Sequence, residues 1–384
     1  MAGAPESPDT APPPVDVHDA TADNTLTPDT GEKKDKPRDS KGWDGKLRLN
    51  KSTSGDESPV ARLKSDTEGE SEDDGPPPDQ LAADEDLLDD VPADEDEIDL
   101  VHLRISSIPA LKLERFEKLR RLCLRQNQIQ DVELPDQFAP TLTELDLYDN
   151  LISHIRGLDA FTQLEILDFS FNKIKHIKRI GHLTKLRDLF FVQNKISTIE
   201  NLEGLTNLRQ IELGANRIRE IQNLDTLTGL EQLWLGKNKI TELKGLSNLT
   251  NLKILSIQSN RLTSMSGISG LTSLEELYVS HNAITDTTGL ENNANLQIID
   301  ISSNPIEHLT NIKHLSKLEE FWASNCKLGS FEEIEQELGP LKELQTVYFE
   351  GNPLQRRQPA LYRNKVKLAV PHVKQIDATF VRAT

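Results

Sequence analysis

Residues 205–221 decide the fold of this chain, and they read LTNLRQIELGANRIREI. Two aliphatic residues flank Glu212, and Asn216 follows the second of them by three positions. A further aliphatic residue, Ile218, comes two positions after the amide. The pattern returns at or close to every 22 residues, and the positions equivalent to Asn216 are Asn127, Asn150, Asn172, Asn194, Asn238, Asn260, Asn282, Asn304, Cys326 and Asn352. A fixed period of this length predicts a series of stacked structural units.

The period is that of the leucine-rich repeat, in which each unit supplies one short strand and one tight turn. We therefore expect an α/β repeat fold, a right-handed curved solenoid of about twelve units with a parallel sheet along its concave face. A unit of this length leaves room only for 3₁₀ turns or extended segments on the convex side. No unit buries its apolar side alone, so stacking must make one continuous core.

The recurring amides are predicted to face inward and to bond backbone groups of the adjoining turns, which would otherwise be buried without partners. We call these eleven positions the asparagine ladder. Cys326 occupies one of them, where its weaker S–H donor is expected to serve the same purpose. Counting backward, residues 98–108 form a degenerate first unit in which Leu103 stands at the amide position, with Ile105 and Ile108 in register.

Three segments follow from this pattern: a disordered acidic tail over 1–96, the solenoid over 97–352 and a C-terminal cap over 353–384. Within the cap, a helix is expected from about Gln358 to Leu368, before Val370-Pro371, and it should cover the apolar end of the last repeat. A final apolar segment, Val373–Ile376, follows that helix.

The net charge of −19 belongs to the tail, since residues 1–100 hold 29 acidic and 10 basic side chains and residues 101–384 hold 34 of each. Pro, Ser, Thr and acidic residues dominate the tail, which favours disorder. Its acidic run from Asp84 to Asp99 is either a solvated spacer or a partner-binding arm. The candidate phosphorylation sites, beside proline or acidic residues, are Ser7, Thr27, Ser58, Ser65 and Ser71.

The two cysteines indicate a reducing environment. Cys123 and Cys326 belong to distant repeats, so a disulfide between them is geometrically implausible. Residues 1–6 show no basic segment followed by an apolar run, and no apolar stretch reaches the length of a membrane span. We expect an intracellular protein with no membrane contact.

Side chains of a strand alternate between the two faces of a sheet, so the residue after each central aliphatic should point out of the concave face. We call these positions the concave column; they are Asp99, Cys123, Asp146, Asp168, Phe190, Glu212, Trp234, Ser256, Tyr278, Asp300, Trp322 and Tyr348. Two positions earlier lie polar or aliphatic residues that include Gln232, Glu276 and Glu320. Aromatic residues interleaved with acids on a solvent-facing surface indicate a protein interface for a partner with basic patches. Packing of rings along the strands is the alternative.

Nucleic acid is not expected as a partner, because the acids would repel phosphates and the sequence shows no basic stripe. No cofactor-binding or catalytic motif is present, and a metal site is not expected. His154, His176 and His308 recur after ladder positions and are interpreted as a solvated edge, since no third ligand is evident. Asp146 and Asp168 are a pair of carboxylates on an open surface, which does not favour catalysis. We therefore expect a non-enzyme without cofactors.

Several stretches resemble the leucine-rich-repeat regulatory subunits of protein phosphatase 1. They are CLRQN at 123–127, LDLYDN at 145–150, FSFN at 169–172, LGKNKI at 235–240, QSNRL at 258–262, GLENN at 289–293 and the closing QIDATFVR at 375–382. The resemblance covers residues from about 97 to 382. The closing stretch and the order of the variable positions are its most specific parts.

The resemblance implies a non-catalytic subunit that binds the phosphatase catalytic subunit through its concave face. The implied contact residues are Asp168, Phe190, Glu212, Trp234, Asp300, Glu320, Trp322 and Tyr348, to which Asp146 and Tyr278 are added from the concave column. Trp234 stands where Phe is typical of the family. The family further implies a nuclear and cytoplasmic location, a role in chromosome segregation and phosphatase maturation, and a ternary complex with a small inhibitor subunit.

Two other functions remain open on the residues alone. One is a scaffold for a different protein, of the splicing, tubulin-folding or axonemal type. The other is an enzyme that uses the concave carboxylates.

Overall fold

A computed structural model describes residues 87–382, and the solenoid predicted from the period is present there. Twelve three-residue strands, β1–β12, pair in chain order in one parallel sheet. Their bounds are Glu97–Asp99, Arg121–Cys123, Glu144–Asp146, Ile166–Asp168, Asp188–Phe190, Gln210–Glu212, Gln232–Trp234, Ile254–Ser256, Glu276–Tyr278, Ile298–Asp300, Glu320–Trp322 and Thr346–Tyr348. Short 3₁₀ turns at Pro109–Leu111, Leu113–Arg115 and Asp136–Phe138 lie among the early convex segments. The predicted fold class is confirmed.

Equivalent residues of neighbouring repeats lie side by side in the sheet. Glu212 of β6 pairs with Trp234 of β7, and each aliphatic centre pairs with the next, as Ile211 does with Leu233. The central aliphatic residues face the interior and form one core that runs the length of the solenoid. Parallel stacking at about 4.8 Å per strand therefore converts the 22-residue period into columns of adjacent side chains.

The asparagine ladder holds the turns that follow the strands. The Nδ2 atom of Asn216 donates to the carbonyl oxygens of Phe191 at 2.7 Å and Leu213 at 3.1 Å. Its Oδ1 atom accepts from the backbone N–H of Ile196 at 3.0 Å. The preceding residue, Ala215, has a φ of 54°, which turns the chain toward the ladder. The amide thus satisfies backbone groups of two successive repeats, as the sequence predicted.

Cys326 takes part in the ladder through its thiol. Its Sγ donates to the carbonyl oxygen of Ile301 at 3.3 Å, which is the contact that Asn304 makes with Val279 at 3.0 Å. Burial raises the pKa of this thiol to about 12, so it stays protonated and able to donate. Both cysteines are free and buried.

The last repeat is longer than the others and contains a helix that the period did not predict. Trp322 and Tyr348 are 26 residues apart, and helix α1, Phe331–Leu338, occupies the extra length. Ser330 caps this helix by accepting from the backbone N–H of Glu333 at 3.1 Å. The S-x-x-E spacing of 330–333 is a capping-box signal that was present in the sequence.

The cap continues the sheet as well as covering it. Helix α2, Pro353–Arg356, precedes α3, Pro359–Ala369, which lies within one residue at each end of the expected helix. Strand β13, Gln375–Ile376, then pairs parallel with β12, and β14, Thr379–Phe380, pairs antiparallel with β13. The sheet therefore ends in a hairpin.

At the other end, the folded part begins earlier than the boundary placed at residue 97. Leu88 is buried in the core, and Val91 packs against that core. Assigning all of residues 1–96 to a disordered tail was therefore wrong for residues 87–96, where two apolar side chains cover the first repeat. Ser7, Thr27, Ser58, Ser65 and Ser71 lie outside the described residues. The degenerate first unit is present, with Ile105 and Ile108 buried.

One buried amide in the ninth repeat is a point of weakness. Asn293 stands where Leu271 and Leu315 stand in the neighbouring repeats, and it is completely buried. Its Nδ2 donates to the carbonyl oxygens of Ile268 and Leu271, but its Oδ1 has no hydrogen-bond partner among residues 87–382. A buried acceptor without a donor is destabilising.

Asn293→Leu should therefore raise the free energy of unfolding by about 1 kcal/mol, since both carbonyls keep backbone donors and the apolar column is restored. Urea denaturation of the two proteins measures the change. A lower midpoint for Asn293→Leu would show that the amide contributes more through its two donors than its lone oxygen costs.

Candidate functional site

The residues predicted to contact a partner lie together on one face of the sheet. Asp146, Asp168, Phe190, Glu212 and Trp234 are the last residues of β3–β7, and consecutive members pair in register. The remaining predicted residues, Tyr278, Asp300, Glu320, Trp322 and Tyr348, continue the same face on β9–β12. The sequence therefore located the candidate site along the sheet.

Its exposure differs from the sequence expectation. Trp322 is only 5% exposed and Tyr348 only 7%, although both were expected to face solvent. The acids Asp146, Asp168, Glu212 and Asp300 are buried too. Side chains on adjacent strands are close enough to cover one another, and that contact between columns is invisible in a linear period. The site is a packed strip rather than a row of separate solvent-facing groups.

Aromatic rings form a continuous row at the C-terminal half of this strip. The ring centroids of Trp234 and Tyr278 are 6.4 Å apart, those of Tyr278 and Trp322 are 6.2 Å apart, and those of Trp322 and Tyr348 are 6.0 Å apart. We call these four residues the aromatic row. Its first two contacts join strands that are two steps, or about 9–10 Å, apart. The intervening strands contribute the small, buried Ser256 and Asp300, which leave room for the rings to meet.

Polar side chains two residues earlier on the same strands orient three of these rings. The Tyr278 hydroxyl donates to Glu276 Oε2 at 2.7 Å, and the Trp322 Nε1–H donates to Glu320 Oε2 at 3.1 Å. The Trp234 Nε1–H donates to Gln232 Oε1 at 3.3 Å. Because the polar edges of the rings are satisfied within the strand, the row is a preorganised apolar strip with acidic margins.

Burial and the neighbouring Glu276 carboxylate both raise the pKa of the Tyr278 hydroxyl, so it remains a neutral donor.

The concave aspartates also have a structural role that the sequence did not reveal. The carboxylate Oδ1 atoms of Asp146, Asp168 and Asp300 accept from the backbone N–H two residues later, at 3.1, 2.7 and 2.9 Å. Each aspartate therefore closes the end of its own strand. Arg125 lies 3.6 Å from the Asp146 carboxylate and stacks on the Tyr148 ring.

Asp300 is the most constrained of these acids. It is 1% exposed, and desolvation raises the pKa of its carboxyl group, while bonds from Ser280 and Ser302 act in the opposite direction. Keeping a carboxylate buried under the aromatic row disfavours its ionised form.

Asp300→Asn should consequently melt at a higher temperature than the wild type at pH 7. The amide oxygen can still accept from Ser302, and no charge is buried. A carboxyl group with a raised folded-state pKa destabilises the fold only where it is ionised in the unfolded chain. The difference should therefore shrink as the pH falls to 3.8, the ordinary pKa of aspartate, and below. Thermal melts at pH 7 and pH 3.5 test this, and a lower melting temperature for Asp300→Asn at pH 7 would contradict it.

The C-terminal hairpin supports the end of the aromatic row. Gln375 Nε2 donates to the Tyr348 hydroxyl oxygen at 2.7 Å. Asp377 accepts from the backbone N–H of Phe349 at 2.8 Å and from the Tyr362 hydroxyl at 2.7 Å. Sequence reasoning used the closing stretch 375–382 only as a family signature and missed Gln375 as a supporting residue. Its polar side chain two residues before Asp377 was the available signal.

The other candidate chemistries find little support in the described residues. His176 pairs with Glu200 at 3.1 Å and His308 with Glu333 at 2.9 Å, each on the exposed surface. Across residues 87–382, no group of three or more His, Cys, Asp or Glu side chains is placed to hold a metal ion. None of the helices in that range has the length and apolar character of a membrane span.

Comparison with known proteins identifies close relatives of this architecture. A family model described as leucine-rich repeats (2 copies) matches residues 228–270 and 272–315, and one described as leucine-rich repeat matches residues 132–235. The chain is 70% identical over 312 residues to protein phosphatase 1 regulatory subunit SDS22 of Schizosaccharomyces pombe, which covers 81% of this chain and 93% of that protein. It is 47% identical over 95 residues to the protein of the same name in Saccharomyces cerevisiae, covering 24% of this chain and 28% of that protein.

Among solved structures, the leucine-rich repeat domain of APL1 superposes with a TM-score of 0.59 at 22% identity, covering 70% of this chain and 71% of that domain. This likeness concerns the fold alone.

Proposed function

Because this chain belongs to the SDS22 family of protein phosphatase 1 regulatory subunits, we propose that it binds the phosphatase 1 catalytic subunit through the concave face of its repeats. The aromatic row is the observation that supports this choice of face. It offers a preorganised apolar strip whose polar edges are already satisfied, so docking a partner on it orders few side chains.

The proposed contact residues are those carried by the resemblance and the concave column: Asp146, Asp168, Phe190, Glu212, Trp234, Tyr278, Asp300, Glu320, Trp322 and Tyr348. Two kinds of contact divide this strip. The aromatic residues supply apolar area at the C-terminal half, and the acids supply negative charge along its length. A partner that fits carries an apolar patch beside basic side chains.

The packed state of the strip sharpens the roles within it. Asp146, Asp168 and Asp300 are held by backbone N–H groups, so their negative charge is fixed in place. Glu320 orients Trp322 and borders the ring. We propose that the aspartates contribute mainly a field that attracts a basic partner, and that the rings and Glu320 make the closest contacts.

Regulation follows from occupancy of that surface. A non-catalytic subunit of this kind controls the activity, maturation or localisation of the enzyme it holds. We include in the proposal a role in mitosis and chromosome segregation, a nuclear and cytoplasmic location, and a ternary complex with a small phosphatase inhibitor subunit.

Affinity purification of the tagged full chain, followed by mass spectrometry, separates this proposal from its alternatives. The expected result is recovery of the phosphatase 1 catalytic subunit in stoichiometric amounts. Recovery of a splicing, tubulin-folding or axonemal complex without phosphatase would contradict the proposal and favour a different scaffold. The purified chain should show no phosphatase turnover until the catalytic subunit is added.

A further inference from the structure

A second charged surface lies beyond the asparagine ladder, on an edge of the solenoid that the concave face does not include. The residue directly after the ladder position is basic in five consecutive repeats. These residues are Lys173, Lys195, Arg217, Lys239 and Arg261, and we call them the basic edge. The sequence expectation that no basic stripe exists was wrong, because bases 22 residues apart form no run in the chain and meet only when repeats stack.

Backbone hydrogen bonds hold the basic edge in register. The N–H of Lys195 donates to the carbonyl oxygen of Ile174 at 2.9 Å, and the N–H of Arg217 donates to Ile196 at 2.8 Å. The same bond recurs from Lys239 to Ile218 and from Arg261 to Ile240, each at 2.8 Å. Successive bases therefore start from backbone positions at about the spacing of parallel strands, 4.8 Å.

The surroundings of the edge are basic as well. In those five repeats, the positions two before and two after each edge residue add further bases and contribute no acid. The additional bases are Lys175, Arg219 and Lys237. The next outward positions carry Glu220 and Glu242, of which Glu242 pairs with Lys244 at 2.6 Å. Within residues 87–382, none of the five edge side chains forms an ion pair with a carboxylate.

The opposite edge of the same repeats shows that the protein can neutralise such charges. There Arg187 pairs with Glu165 at 3.7 Å, while Arg209 and Lys253 approach Glu231 at 3.3 and 2.8 Å. Acids alternate with bases on that edge, as expected for a surface that serves only the fold. Like charges at neighbouring positions destabilise a sheet, so five in succession indicate a surface made for an anionic ligand.

We propose that the basic edge is a docking surface for an extended acidic segment of another protein, separate from the concave face. Four strand spacings give the edge a length of about 19 Å, which an extended peptide of roughly six residues spans. Four of the five edge side chains are exposed and Lys239 is half-buried. Long, flexible bases on a rigid backbone suit carboxylates whose spacing differs slightly from that of the repeats.

Nucleic acid fits this surface less well. The one aromatic residue among the edge and its flanking positions is Phe171, and its ring packs against Tyr148 at 4.8 Å. Base stacking on free rings is the usual source of single-strand affinity. The whole chain has a pI of about 5.0, whereas nucleic-acid-binding domains are commonly basic. An acidic peptide needs only the charges that the edge provides.

Fluorescence polarisation with a fluorescein-labelled decaglutamate peptide tests the proposal on the full chain at low ionic strength. The test variant carries Lys195→Gln, Arg217→Gln and Lys239→Gln. The matched control carries Arg187→Gln, Arg209→Gln and Lys253→Gln, which removes the same charge from the opposite edge. We expect the wild type and control to bind alike and the test variant to bind about tenfold more weakly or worse. Added salt should weaken wild-type binding steeply.

Equal binding by the test variant and the wild type would overturn the proposal, as would an equal loss in the control. A labelled decathymidylate that binds more tightly than the peptide would also overturn it, in favour of nucleic acid. Thermal melts should show all three proteins folded. Because the edge is separate from the concave face, the test variant should still retain the phosphatase catalytic subunit, so this result is independent of the proposed function.

Discussion

Trp322→Ala should weaken binding of the phosphatase 1 catalytic subunit by about 30-fold or more. Trp322 lies between Tyr278 and Tyr348 in the aromatic row, with ring centroids 6.2 and 6.0 Å away, so its removal opens the strip at its centre. Truncating a buried aromatic at the centre of an interface commonly costs about 2 kcal/mol or more, which corresponds to that change in affinity. Isothermal titration calorimetry of the purified proteins measures it.

Two further variants separate loss of the interface from loss of the fold. Glu320→Ala removes both the charge and the acceptor for Trp322 Nε1–H, whereas Glu320→Gln removes the charge and keeps an acceptor. We expect Glu320→Ala to weaken binding more than Glu320→Gln, with little change in melting temperature for either. If Trp322→Ala and Glu320→Ala both bind as the wild type does, the concave face is not the interface.

The second large effect concerns stability. Asn216→Ala should lower the free energy of unfolding by about 2–4 kcal/mol, because it leaves the buried N–H of Ile196 without its acceptor and removes three donated bonds. Denaturation in urea, followed by circular dichroism, gives the change. Since neighbouring repeats depend on one another, the loss should reduce the midpoint of the whole solenoid.

Asn207 provides the matched control in the same repeat. Its exposed side chain donates one bond, from Nδ2 to the carbonyl oxygen of Thr184 at 2.8 Å. Asn207→Ala should therefore change the free energy of unfolding by less than about 1 kcal/mol. Equal losses for Asn207→Ala and Asn216→Ala would contradict the role assigned to the ladder.

The repeating features of the fold followed from the sequence because each depends on residues within one unit and on stacking. Asn216 and its equivalents predicted the turns, and Cys326 could be placed among them by counting alone. The helix of the cap was also predictable, since the apolar segment from Gln358 ends at Val370-Pro371. Helix α1 was missed because attention to the period obscured a local signal, the capping box that begins at Ser330.

Features that arise between repeats were harder to predict. The burial of Asp300 and Trp322 depends on contacts between side chains of alternate strands, and the size of Ser256 decides whether neighbouring rings can meet. The basic edge escaped notice for the same reason, since Lys195 and Arg217 are adjacent only in the stacked structure. Gln375 was overlooked because its contact with Tyr348 requires the cap to extend the sheet.

A structure of the full chain bound to the phosphatase 1 catalytic subunit tests the central claim most directly. The account predicts that the catalytic subunit lies along the concave face and contacts Trp234, Glu320, Trp322 and Tyr348, with basic side chains near Asp168 and Glu212. A complex in which the catalytic subunit instead binds the basic edge or the C-terminal cap, with the aromatic row left facing solvent, would contradict it.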